Sequence, residues 1–91
     1  MPKLVCVKCE RELKCEQSGV IVAEMFSQNT KIYKLWDTDM WKCPVCGYLI
    51  IAGFAAYPFA EHYKDNCEEI VKKFLEKGGK VVYDKEEIQN D

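Results

Sequence analysis

Apolar and polar positions trade places in short alternating runs along the first half of the chain, then settle into a wider, helix-like stripe in the last third. Lys3 to Val5 reads as a short strand. Glu12 to Gln17 reads as a second strand, Ser18-Gly19 as a turn, and Val20 to Phe26, rich in β-branched residues, as a third strand completing a hairpin. Ser27-Gln28-Asn29-Thr30 is a polar turn. Ile32 to Trp36 alternates around Lys34, Asp37-Thr38-Asp39 breaks the run, and Met40-Trp41-Lys42 leads onward. Tyr48 to Phe54 is almost continuously apolar, which predicts a strand buried on both faces or inside a sheet.

Pro58 suits the first turn of a helix, and the following residues carry one stripe: Phe59, Tyr63, Cys67, Ile70, Val71, Phe74 and Leu75. Glu61, Lys64, Asp65, Glu68, Lys72 and Lys73 lie mostly outside it, and Gly78-Gly79 stops the helix. Lys80 to Tyr83 adds an edge strand, and Asp84 to Asp91 is a charged, frayed tail. The pattern predicts an α+β domain over 1–91, a small antiparallel sheet with one C-terminal helix packed on it. Residues 1–56 form its β-rich part, 58–77 the helix, and 80–91 the short strand and tail.

Length sharpens this picture. A chain of 91 residues buries only ~60–65% of its unfolded surface, so a metal or cross-link would help it hold together. With 48% hydrophobic and 31% charged residues the chain is globular in composition rather than disordered. The longest apolar run, Tyr48 to Phe59, is interrupted by Gly53 and Pro58 and falls short of the ~18 residues that span a bilayer. The opening Met1-Pro2-Lys3-Leu4-Val5-Cys6 has no long apolar stretch of the secretory kind, so a reducing cytoplasm is the expected setting, with no membrane as partner. Residues 1–42 hold seven Lys/Arg against six Asp/Glu, and residues 43–91 hold six against nine, for the net charge of −2. With a pI near 5.4 the charge does not favour nucleic acid as a partner, although a local patch stays open.

The chemistry lies in the cysteines. Six are present: Cys6, Cys9, Cys15, Cys43, Cys46 and Cys67. In a reducing compartment such a set serves metal binding or redox chemistry rather than disulfides. Cys6-Val7-Lys8-Cys9 and Cys43-Pro44-Val45-Cys46 are two C-x-x-C pairs, and two such turns brought together place four sulfurs around a tetrahedral ion. Gly47 can take positive φ cheaply at the end of the second turn. A thioredoxin-like redox pair would need a helix starting inside the motif, which Pro44 and Gly47 argue against. Cys15, alternating with Leu13, and Cys67, on the helical stripe, are expected to be small buried hydrophobes.

Over residues 3–50 the chain resembles a zinc ribbon of the rubredoxin-like kind. The second knuckle, Trp41-Lys42-Cys43-Pro44-Val45-Cys46-Gly47, is close to that of rubredoxin itself. From Leu35 to Tyr63, including Gly53-Phe54 and Ala60-Glu61-His62-Tyr63, it also resembles small bacterial and phage zinc-ribbon proteins. The resemblance implies a metal site at Cys6, Cys9, Cys43 and Cys46, and no activity. The same four sulfurs suit zinc or iron. Three departures from rubredoxin favour zinc: Glu10 stands where a glycine is expected after the first knuckle and would strain or reshape it, the gap between knuckles is longer, and the helix is foreign to it.

Zinc held by four thiolates has no open position, so the expected role is structural and the protein is expected not to be an enzyme. The single histidine, His62, reads as a capping or exposed group in the first helical turn, and no nucleophile–base set or phosphate loop accompanies it. Lys8, Arg11 and Lys42 lie near the knuckles, where they would offset the added thiolate charge or be ordinary surface residues. Phe54, Tyr57, Phe59 and Tyr63 are expected to pack the helix on the sheet, with a contact surface as the other reading. The sequence thus points to a zinc-binding module with a protein partner. An iron electron-transfer protein and a regulatory zinc domain of the antitoxin or nucleic-acid-associated type are the rival readings.

Overall fold

A computed structural model describes residues 3–87. The elements run β1 (Val5–Cys6), β2 (Arg11–Glu12), β3 (Lys14–Phe26), β4 (Lys31–Lys42), β5 (Leu49–Ala52), β6 (Ala60–Glu61), α1 (Cys67–Glu76) and β7 (Val81–Asp84). β1 and β2 form a separate two-stranded hairpin, and the remaining strands form one sheet in the order β5-β4-β3-β7, with β6 also on β4. β7 runs parallel to β3, so the main sheet is mixed rather than antiparallel. The helix therefore is not C-terminal: it crosses between β6 and β7.

The scaffold is the long β3–β4 ribbon. Ser18-Gly19 does not turn the chain. It forms a bulge in one continuous strand, where Ser18 faces Asp39 and Val20 faces Thr38, leaving Gly19 as the extra residue at φ +71°. Asp37-Thr38-Asp39 does not break β4 either, because Thr38 is buried and donates its hydroxyl to the Val20 carbonyl at 2.9 Å. The reversal comes at Ser27–Thr30, as the polar run predicts, with Ser27, Gln28 and Asn29 all at positive φ. Asn29 accepts from the Glu86 backbone N–H at 2.6 Å, which ties the end of the described chain to the hairpin tip. The tail read over Asp84–Asp91 lies outside the described residues from Ile88 onward.

β5 is shorter than the apolar run and sits at the sheet's edge: Leu49 is exposed and Ile50, Ile51 and Ala52 are half-buried, so neither face is sealed. β6 follows it along the same edge of β4. Between them, Ala55 donates to the Asp37 carbonyl and Phe59 to the Leu35 carbonyl, each at 3.0 Å. This edge pairing is what overturns the helix from residue 58. A single turn at Glu61–Asp65 follows, and the helix starts only after Asn66, whose side chain accepts from the Glu69 N–H at 3.2 Å. Its end is a Schellman pair: Gly78 donates to Leu75 at 3.0 Å and Gly79 to Phe74 at 2.9 Å, with Gly78 at φ +86°.

Among the described residues two cores result, and they share no residue. The larger joins Ile21, Ala23, Leu35 and Ala60 of the sheet to Cys67 and Val71 of the helix. The smaller, at the far end of the ribbon, joins Cys6, Leu13 and Cys43, with Cys9, Trp41 and Ile50 packed against it. Phe54, Tyr57 (82% exposed) and Tyr63 (70% exposed) stand away from the seam between helix and sheet, whereas Phe59, exposed itself, lines a cleft there with Ile70 and Phe74 of the helix. Ile21, Leu35 and Ala60 of the sheet share the buried cluster with Cys67 and Val71 of the helix, with Ile70 and Phe74 packed against it, and Phe54 packs edge-on against Trp36. Among the described residues no helix is long and apolar enough to cross a membrane.

Candidate metal centre

The two C-x-x-C pairs meet. The sulfurs of Cys6, Cys9, Cys43 and Cys46 all lie within 4.8 Å of one another, and the Sγ atoms of Cys6 and Cys46 stand 3.8 Å apart. Cys6 and Cys9 belong to the β1–β2 hairpin, in which Val5 pairs with Glu12 and Cys6 with Arg11. Cys43 and Cys46 belong to the turn from β4 into β5, closed by the Cys43 N–H donating to the Tyr48 carbonyl at 2.9 Å.

The two turns are built alike. In the first, the Glu10 N–H donates to the Cys6 carbonyl at 2.8 Å; in the second, the Gly47 N–H donates to the Cys43 carbonyl at 3.0 Å. Each donor is in left-handed backbone, Glu10 at φ +54° and Gly47 at φ +79°. Glu10 thus adopts the glycine conformation and leaves the turn intact, at a cost in strain.

The electrostatics suit a cation. Cys43 is fully buried, yet backbone N–H groups, that of Cys46 foremost and that of Val45 at 3.4 Å, hold its thiol down to about 6 against the pull of burial. Burial first, and then hydrogen bonding to the other three sulfurs, push the Cys9 thiol up to about 12. Burial and sulfur–sulfur hydrogen bonding thus favour the neutral Cys9 thiol while backbone N–H groups favour the Cys43 thiolate, and a bound cation, which needs deprotonated sulfurs, would supply the positive charge that a Cys9 thiolate lacks. Trp41 packs against this cluster, and its indole N–H is buried without a partner among the described residues.

The other candidates fall elsewhere. Cys15 is exposed, contrary to expectation, because it lies on the ribbon beyond the reach of the helix and opposite Trp41. Cys67 is buried in the larger core as expected, and burial pushes its thiol up. His62 is exposed but is not in the helix: it follows β6, donates its backbone N–H to the Tyr33 carbonyl at 2.9 Å, and stacks its ring on Tyr33 at 4.7 Å. Lys8, Arg11 and Lys42 are all exposed at the cysteine end.

Sequence reading did not find a cleft of about 350 Å³ beside the cysteines. Val5, Val7, Leu13, Tyr48 and Ile50 line it together with Cys6 and Cys46. Its only advance signal was the unusual density of apolar residues flanking the knuckles. No protein-family model, curated protein or solved structure matches this chain. The geometry alone therefore defines the site: four cysteines placed to hold a metal ion.

Proposed function

We propose that Cys6, Cys9, Cys43 and Cys46 bind one zinc ion in a closed tetrathiolate, as in the rubredoxin-like zinc ribbons that the knuckles resemble, and that the protein is a non-catalytic module that binds another protein in a reducing cytoplasm. The convergence of the four sulfurs within 4.8 Å carries this reading. Zinc bound by four protein thiolates leaves no position for water or substrate, so it supplies folding free energy instead of Lewis-acid chemistry. The smaller core supports this reading: among the described residues its buried members are Cys6, Leu13 and Cys43, too few to hold two knuckles together without a ligand.

Two features support a protein partner. Val7 (94% exposed), Val45 and Tyr48 stand out around the knuckles, and Phe54, Tyr57 and Phe59 around the β5–β6 loop. Exposed apolar and aromatic groups in such density are typical of contact surfaces. A second reading, iron in the same sulfurs as an electron carrier, is favoured by one observation: Cys46 is exposed, which would bring the ion close to solvent. Elemental analysis of natively purified protein with a visible spectrum tests both. One zinc per chain and a colourless solution are expected. A red, redox-active protein would replace the zinc reading with the iron one.

A further inference from the structure

We infer that Cys6 and Cys46 are a peroxide-sensitive pair, which oxidation joins as a disulfide across the two knuckles, releasing the metal. The inference rests on the four sulfurs holding a metal ion.

Three observations single out this pair. Cys6 and Cys46 both line the cleft of about 350 Å³, whereas Cys9 and Cys43 do not. Cys46 is an exposed residue on the cleft, which gives a small oxidant its approach, while Cys43 is fully buried with its sulfur engaged by the Val45 N–H. The two Sγ atoms are already 3.8 Å apart, and each needs to move only about 0.9 Å to reach bonding distance.

The chemistry balances with hydrogen peroxide as oxidant. The Cys46 thiolate attacks one peroxide oxygen, the O–O bond breaks, and Cys46 becomes a sulfenic acid as hydroxide leaves. The Cys6 thiolate then attacks the Cys46 sulfur, the S–S bond forms, the S–O bond breaks, and a second hydroxide leaves. Each sulfur gives up one electron, the two peroxide oxygens accept them, and two protons from solvent convert both hydroxides to water. Only Cys9 and Cys43 remain as thiol ligands, one from each knuckle. Because the bond joins Cys6 of β1 to the β4–β5 turn, it keeps the knuckles together after the metal has gone, ready for reduction and reloading.

The test uses the full chain carrying Cys15→Ser, which removes the other exposed thiol; Cys67 stays as a buried internal control. Zinc content is measured first, then peroxide is added, released zinc is followed with a metallochromic dye, and disulfides are mapped by mass spectrometry without reduction. The expected result is one zinc released per disulfide, a Cys6–Cys46 cross-link, and recovery with dithiothreitol and zinc. A cross-link within either knuckle, or sulfinic acid without a cross-link, would overturn the inference. In a second variant, Val5→Trp narrows the cleft and is expected to slow release by roughly threefold or more, since access limits thiolate oxidation; an unchanged rate would remove the cleft as the entry route. Absence of zinc before any peroxide is added would overturn the metal reading itself, and the two failures are thereby told apart.

Discussion

Glu10 and Gly47 hold equivalent places in the two knuckles, each in left-handed backbone and each donating its N–H to the carbonyl of the first cysteine of its pair. Only one of them is a glycine. Left-handed backbone costs a residue with a Cβ about 1–2 kcal/mol. A glycine there gives back roughly 0.5–1 kcal/mol through its freer unfolded state. Glu10→Gly is therefore expected to stabilise the metal-loaded protein by about 0.5–1 kcal/mol, a rise of a few degrees in Tm. Gly47→Ala is expected to do the opposite. Thermal unfolding of both variants checks this, and a Glu10→Gly protein that melts at or below the parent temperature would refute it.

The separation of the two cores predicts what chelation does. Stripping the ion is expected to open the cysteine end, where Cys6, Leu13 and Cys43 are the buried members among the described residues, and to leave the sheet and helix folded around Leu35 and Val71. Structural zinc contributes on the order of 10–16 kcal/mol in small peptides, far more than three buried side chains supply. Hydrogen exchange after chelator treatment should show lost protection over residues 5–13 and 43–50, and retained protection over residues 20–25 and 67–76. Loss throughout would mean that the ion holds the whole chain.

Asn66 fixes where the helix begins, through its side-chain bond to the Glu69 N–H. Asn66→Ala is expected to destabilise the protein by about 1 kcal/mol, and Asn66→Asp to leave it near the parent value. Urea denaturation separates the two. Equal losses in both variants would show that the cap is not the cause.

The same residue shows where sequence pattern reaches its limit. The apolar stripe from Phe59 to Leu75 fits a helical period throughout, yet its first part pairs with β4, since an open strand edge there offers Phe59 and His62 backbone partners that periodicity does not register. Asn66 followed by Glu68 and Glu69 was the local signal for the true start. Ser18-Gly19 was equally legible as turn chemistry, but positive φ serves a bulge as well as a turn, and only the partner strand decides between them. The four clustering cysteines could be read directly, because C-x-x-C spacing fixes local geometry wherever the knuckles lie. The cleft beside them could not, as it depends on Val5 of β1 and Ile50 of β5, far apart in the sequence, lining the same cavity.

Glu61 and Tyr63 make a pH-dependent pair. The Tyr63 hydroxyl donates to Glu61 Oε2 at 2.6 Å, which lowers the Glu61 carboxyl below its ordinary range, with Lys64 and Lys34 adding to the effect; the same bond raises the Tyr63 phenol. The lowered carboxyl contributes stability above its unfolded value of 4.5, and that is lost as pH falls through the folded one. The raised phenol contributes below 10 and is lost as pH climbs through its folded value. Tyr63→Phe is thus expected to lower the urea midpoint at neutral pH, with the difference from the parent closing in acid. A difference that persists unchanged below the Glu61 titration would refute the pairing.

X-ray absorption at the zinc edge of the natively purified protein reads the ion's neighbours without intermediaries. A tetrathiolate gives four sulfur neighbours at ~2.3 Å with no oxygen or nitrogen among them. An ion surrounded by lighter atoms, or a folded protein with no bound ion and its thiols oxidised, would contradict it.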